Sequence, residues 1–128
     1  MEIKNKYILL QNLEVYQLAR KLSYIGWEVY ACFDWQTKKI IGDQFIESTD
    51  SVGANIAEGY GRYHYLDRLK FFYNARASLM ECNNHWVELL LERELITQSQ
   101  CQEFKITAKE LAIKLNNFIS STYNAKKQ

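Results

Sequence analysis

Between residues 60 and 76 the chain carries Tyr60, Arg62, Tyr63, His64, Tyr65, Arg68, Lys70 and Arg76. Guanidinium and ammonium groups pair with phosphate, and aromatic rings offer flat faces on which unpaired bases stack. This mixture is the chemistry that single-stranded nucleic acid needs. It equally suits a corner between two helices, where tyrosines cover the end of a core and arginines pair with acids on a neighbouring helix or subunit. The residues alone leave both readings open.

Cys82 and His85 stand three apart on one face of a presumptive helix, with Glu81 and Glu88 nearby. Two ligands do not close a tetrahedral site, and no second pair occurs at matching spacing. A half-buried thiol beside a surface imidazole is the expectation, with no metal. The GYGR at 59–62 lacks the preceding strand and the lysine of a phosphate-binding loop. Nor do E-x-x-H pairs mark a catalytic bundle. No catalytic residue, cofactor or small-molecule substrate is assigned, and a non-enzymatic protein is expected.

Helices must position these residues. Val15, Leu18, Leu22, Ile25, Val29 and Phe33 recur with a period near 3.6, which predicts a helix over about 12–32. Asp34 is placed to cap a second helix in which Ile41, Phe45, Ser48, Val52 and Ile56 share a face. Gly59 is read as its left-handed stop, with Gly61 loosening the turn. Leu69, Phe72, Arg76, Leu79, Asn83, Trp86 and Leu90 follow a heptad pattern over a third helix of about 28 residues, roughly 40 Å long. Arg76 and Asn83 then lie either at the edge of a wide buried face or across an interface whose register they set. Thr97 or Ser99 caps a fourth helix marked by Phe104, Ala108, Leu111, Leu115, Phe118 and Thr122. Short connections make neighbours antiparallel, so the predicted fold is all-α: an antiparallel up-down-up-down four-helix bundle.

Composition agrees. The 128 residues fit a single domain over 1–128, with an ordered core of about 9–123 and ends that fray. There is no proline, and glycines number five, as long helices require. No apolar run approaches a membrane span and no signal-peptide pattern opens the chain, so a cytoplasmic protein without a membrane partner is expected. The three cysteines are expected reduced. Net charge is only +1, but it is arranged in blocks: residues 43–58 sum to −4 and residues 59–76 to +3. Phe45, Ile46, Leu66, Phe71, Tyr73 and Leu89 are more large side chains than one four-helix core can hide, which predicts a homo-oligomer.

NIAEGYGR at 55–62, with Ser51 before it and Phe71, Ala75, Ser78, Leu79 and Glu81 after it, resembles S-[IV]-P-x-N-I-A-E-G-x-G-R … F-x-x-x-A-x-x-S-L-x-E. That is the pattern of the 23S rRNA intervening-sequence proteins, also called four helix bundle proteins, and weaker agreement extends over nearly the whole chain. The resemblance implies a small bacterial protein that assembles as a ring, commonly a homopentamer. It also implies a kinship with the accessory proteins of diversity-generating retroelements, which bind nucleic acid and a reverse transcriptase. RNA or a ribonucleoprotein is the partner so suggested, with Tyr60, Arg62, Tyr63, Tyr65, Arg68, Lys70 and Arg76 as contacts. Within the motif, Ser51, Asn55, Glu58, Gly59 and Gly61 are read as structural, with Asn55 an internal tether and Glu58 a partner for Arg62. The chain departs from the pattern at Gly53 and Asp34, where proline is usual, at Tyr63 and His64, and at Arg68. A scaffold whose charge blocks serve self-assembly and protein partners is the alternative.

Overall fold

A computed structural model describes residues 7–125. Four helical rods make up the fold, and no strand occurs among the described residues. A 3₁₀ turn, Leu10–Asn12, leads into α1, Glu14–Ala31. The second rod, α2, spans residues 35–60: the turn Trp35–Thr37, a π-helical segment Lys38–Gly42, and the α-helix Asp43–Tyr60. The third, α3, spans residues 65–92 and has the same irregularity, with Tyr65–Met80, a π-helical segment Glu81–Trp86, and Val87–Glu92. The last rod, α4, is Gln98–Ala125.

Side-chain register makes the neighbours antiparallel. A Cβ built on Gly53 would sit 3.5 Å from Ala19, one on Gly26 would sit 3.1 Å from Thr49, and one on Gly42 would meet Tyr30 and Phe33. Residue numbers in α1 therefore rise as those in α2 fall. Arg76 bonds Asn116 while Lys105 bonds the Asn83 carbonyl, so α3 and α4 run oppositely too. Around the bundle α1 neighbours α2 and α4, and α3 neighbours α2 and α4.

The chain starts and stops its helices with local chemistry. The Asp34 carboxylate accepts from Thr37 N–H at 2.8 Å, and this hydrogen bond holds its pKa below the ordinary aspartate value. Thr97 and Gln100 form a reciprocal capping box: Thr97 Oγ1 accepts from Gln100 N–H at 3.0 Å, and Gln100 Oε1 accepts from Thr97 N–H at 2.8 Å. At the end of α3, Leu95 N–H reaches the Leu90 carbonyl and Glu94 N–H the Leu91 carbonyl. That is a Schellman closure. Its left-handed residue is Glu94, with φ 58°, the one positive φ among the described residues.

The expected stop at Gly59 is therefore corrected. Gly59 lies inside the helix with no positive φ, and the C-cap is Gly61 in right-handed geometry at φ −80°. Its lack of a side chain serves packing instead: a Cβ there would fall 2.7 Å from Phe72 Cε1 and 2.9 Å from Phe71 Cβ. The irregularity of α2 falls at Lys38–Gly42, and Gly53, where proline is usual in the pattern, sits in regular α-helix.

The core follows the predicted stripes in α1, α2 and α4, with Leu22, Ile41, Phe45, Val52, Ile56, Phe104, Leu111 and Leu115 buried. In α3 the heptad holds only in part. Leu69, Phe72, Leu79 and Leu90 are buried, joined by Ala75, Cys82 and Val87, whereas Arg76 is exposed and Asn83 and Trp86 are half-buried. Arg76 and Asn83 sit at the edge of the buried face, beside Ala75 and Cys82, and the extra residue of the π turn then moves the inward stripe from Cys82 to Val87, leaving Trp86 at the edge. The fraying expected at 1–8 and 124–128 falls mostly on residues outside those described. Tyr7 and Ile8 are engaged: Tyr7 stacks on Tyr60 and the Ile8 carbonyl accepts from the Tyr60 hydroxyl.

Candidate functional site: the corner and the α3–α4 groove

The motif residues build the corner between α2 and α3. Ser51 Oγ donates to the Glu47 carbonyl and Asn55 Nδ2 to the Ser51 carbonyl, so both hydrogen-bond back along their own helix. Glu58 pairs with Arg62 at 2.7 Å, one turn on, as expected. Both side chains are about half exposed, so the pair is worth only about 0.3–0.5 kcal/mol. The Arg62 guanidinium also lies over the Phe71 ring at 4.9 Å. Arg68 Nε donates to the Arg62 carbonyl at 2.6 Å and ties the first turn of α3 to the connection. His64 takes the N-cap position of α3, its Nδ1 accepting weakly from Leu66 N–H at 3.4 Å. Tyr60 is half-buried, and burial pushes its hydroxyl pKa up. Tyr65 packs against the core and stacks on His64.

Most of the predicted contact residues thus hold the corner together. Tyr63 is the exception, 97% exposed. Lys70 reaches the edge of this corner, at the same Phe71 ring as Arg62, and Arg76 lies outside it. Lys70 lies over Phe71, and Arg76 lies over Tyr73 and donates to Asn116 Oδ1 of α4 at 3.2 Å. From Arg62 to Arg76 is fourteen residues, most of them helical, a separation on the order of 15 Å. The predicted group is therefore two groups, one on the corner and one on the seam between α3 and α4.

Along that seam runs a groove of about 440 Å³. Arg76, Lys105 and Lys109 supply its charge, and no carboxylate is among its lining residues. Three amides, Asn83, Asn84 and Asn116, stand between them, and Leu79, Met80, Ala108 and Ala112 make the apolar part. Lys105 is shared with the Asn83 carbonyl at 2.9 Å and Glu88 at 2.8 Å. The Asn83 side-chain oxygen is buried and has no hydrogen-bond partner among the described residues. Reading the sequence missed Lys105 and Lys109 because they approach Arg76 only when α4 returns along α3. The available signal was that Arg76 and Asn83, both polar, fall on the apolar positions of the heptad.

Cys82 and His85 diverge. The Cys82 thiol is fully buried and donates to the Leu79 carbonyl at 3.4 Å, whereas His85 is exposed against Trp86. Burial pushes the Cys82 pKa up to about 12, and burial raises that of Cys101 as well. Among the described residues no three His, Cys, Asp or Glu side chains gather at metal-binding spacing. Cys32 alone is exposed. Iodoacetamide at pH 8 is therefore expected to modify one thiol per chain in the native protein and three in denaturant. Modification of a second thiol under native conditions would show that the centre of the bundle opens readily.

The architecture is that of a four-helix bundle whose NIAEGYGR motif serves the tight α2–α3 corner, with an open groove on the adjacent seam. The chain belongs to the 23S rRNA-intervening sequence protein family, whose model matches residues 11–117. Its fold is shared with the crystal structure of a protein of unknown function from the S23 ribosomal protein family of Bacteroides thetaiotaomicron VPI-5482. The two superpose with a TM-score of 0.76 at 24% identity, over 82% of this chain and 97% of that one. No curated protein matches the chain. Among the described residues no helix is long and apolar enough to cross a membrane.

Proposed function

We infer that the protein is a non-catalytic scaffold: a homo-oligomeric bundle, a ring of five by the family resemblance, that works by holding partners. One observation carries this reading. The core is closed, yet large apolar side chains remain outside it, foremost Tyr24, Trp27, Trp35 and Ile40 around the α1–α2 connection. Aromatic residues are enriched at protein interfaces, and Trp and Tyr are the commonest sources of binding energy there. The charge blocks fit the same reading, because Glu47 and Asp50 of α2 have no ion-pair partner among the described residues. Light scattering at micromolar concentration is expected to give a multiple of the 15.2 kDa chain mass. Trp27→Glu with Trp35→Glu should reduce that multiple while leaving the circular dichroism helical. A monomeric wild type would overturn the reading.

A nucleic-acid role is the second reading, favoured by the near-complete exposure of Tyr63 next to the exposed His64. It requires single-stranded RNA to bind with a log-log salt slope near −0.7 per phosphate contact. Tyr63→Ala should then weaken binding without changing the oligomer. Salt-insensitive binding, or none at low salt, removes this reading.

A further inference from the structure

The seam between α3 and α4 carries a second set of exposed apolar residues, arranged quite differently from the aromatic patch. Leu66, Tyr73 and Met80 follow one another at intervals of seven on α3, and Ile106 and Ile113 do so on α4. All five are between 44% and 68% exposed. Seven residues are two helical turns, so the α3 series forms a line of about 21 Å along one face. Between the two lines lies the cationic groove, with Ala108 and Ala112 in its lining, and beyond it a second depression contains Leu66, Tyr73 and Lys70. Heptad-spaced apolar residues flanking a channel of small residues are what one more helix needs in order to lie against a helix pair.

Charge decides what kind of helix. Arg76, Lys105 and Lys109 border the channel and Lys70 the depression beyond it, and among the described residues the one carboxylate paired with any of them is Glu88, which bonds Lys105. We propose that this groove docks an amphipathic helix of another protein, one whose apolar seam is flanked by acidic residues. The proposal names a partner for the scaffold inferred above and rests on that reading.

A second copy of the chain fits less well. Pairing two such grooves face to face would oppose Arg76 and Lys109 to their own counterparts. The acidic exposed stripe of α2 (Glu47, Asp50, Glu58) includes Ala54 and no large apolar residue. The exposed aromatics of α1, Tyr24 and Trp27, are accompanied by Arg20 and Lys21 as well as Glu28, so that face is not flanked by acids alone. On α4 the exposed Ile106 and Ile113 have Glu103 and Glu110 on one flank but Lys109 on the other, so seating that face in the groove would bring its Lys109 against Arg76 and Lys109 of the other copy.

The test uses three labelled peptides of three heptads, about 21 residues each. One has a leucine seam flanked by glutamate, the second the same seam flanked by lysine, and the third the acidic composition shuffled so that no face is apolar. Anisotropy with the full-length protein should show the acidic amphipathic peptide binding at least tenfold more tightly than either control. Met80→Asp, on an exposed side chain, should reduce that affinity tenfold or more. Arg76→Glu with Lys109→Glu should invert the preference in favour of the lysine peptide. Equal binding of the three peptides, or binding of none, overturns the proposal. So does RNA binding that these charge reversals abolish while no peptide is preferred. A drop in oligomer mass on Met80→Asp would assign the groove to a second copy and overturn it as well. Light scattering of the wild type, run in parallel, reports separately on the scaffold reading.

Discussion

Phe104→Ala is expected to lower the free energy of unfolding by about 3–5 kcal/mol, at the upper end for a single core truncation. Phe104 is 1% exposed, and its ring lies 5.4 Å from that of Phe45, equally buried, at an angle of 51°. α2 and α4 are diagonal partners in the bundle, not neighbours around it, so this contact crosses the centre. Truncation removes apolar area from the middle of the core, where the surrounding rings and branched side chains have little freedom to collapse. Domains of this size have about 5–15 kcal/mol in total, so the variant should melt more than about 10 °C below the wild type. Urea titrations at one protomer concentration would read the loss as a lower midpoint with an unchanged slope. The pairing itself is worth about 0.5–1.5 kcal/mol beyond area, which a cycle with Phe45→Ala isolates. A loss below about 1 kcal/mol for Phe104→Ala would mean that the centre relaxes far more than this packing allows.

That contact belongs to the part of the fold that local pattern could reveal. Phe45 and Phe104 each lie on a 3.6-residue stripe, and Asp34 and Thr97 cap helices with the side-chain oxygens their residue types supply. Periodicity and caps are local, so they survive in the sequence without knowledge of the partner. The π segments left no such trace. Nothing in the residue types of Glu81–Trp86 announces a wider turn, whose consequence is that the buried stripe steps from Cys82 to Val87 and leaves Trp86 at its edge; Arg76 and Asn83 lie at the edge already, beside buried Ala75 and Cys82. The left-handed closure at Glu94 was hidden because the residue is not glycine. The groove was hidden for another reason: Lys105 and Lys109 lie about thirty residues from Arg76 and meet it only through the packing of α3 on α4. A basic-aromatic cluster that is compact in sequence drew notice to 60–76, and the fold then divided it, spending Arg62 and Arg68 on the corner and turning Arg76 to the seam.

Gly59 shows how one residue type can have the right position and a different cause, and substitution there separates the two. A glycine required for left-handed backbone tolerates asparagine better than alanine, because asparagine visits that region more readily. A glycine required for close approach ranks replacements by size. Gly59 is of the second kind, since a Cβ would stand 2.7 Å from a ring carbon of Phe72, itself fully buried and packed 4.8 Å from Phe118. Alanine there gains about 0.5–1 kcal/mol of helix propensity. Forcing the Phe72 ring aside costs about 1–3 kcal/mol, so Gly59→Ala should be destabilised on balance and Gly59→Asn more so. Gly61 provides the contrast: its nearest atoms to a new Cβ are carbonyl oxygens at 3.6 and 3.7 Å, with ordinary φ, so Gly61→Ala should stay within about 0.5 kcal/mol of wild type. The expected order of melting temperatures is Gly61→Ala, Gly59→Ala, Gly59→Asn, descending. If asparagine proved milder than alanine at 59, the backbone reading would win. With the predicted order, the helix must approach Phe71 and Phe72 closely for Arg62 to lie over Phe71 and for its carbonyl to receive Arg68, so the small residue at 59 sets the geometry of the whole corner.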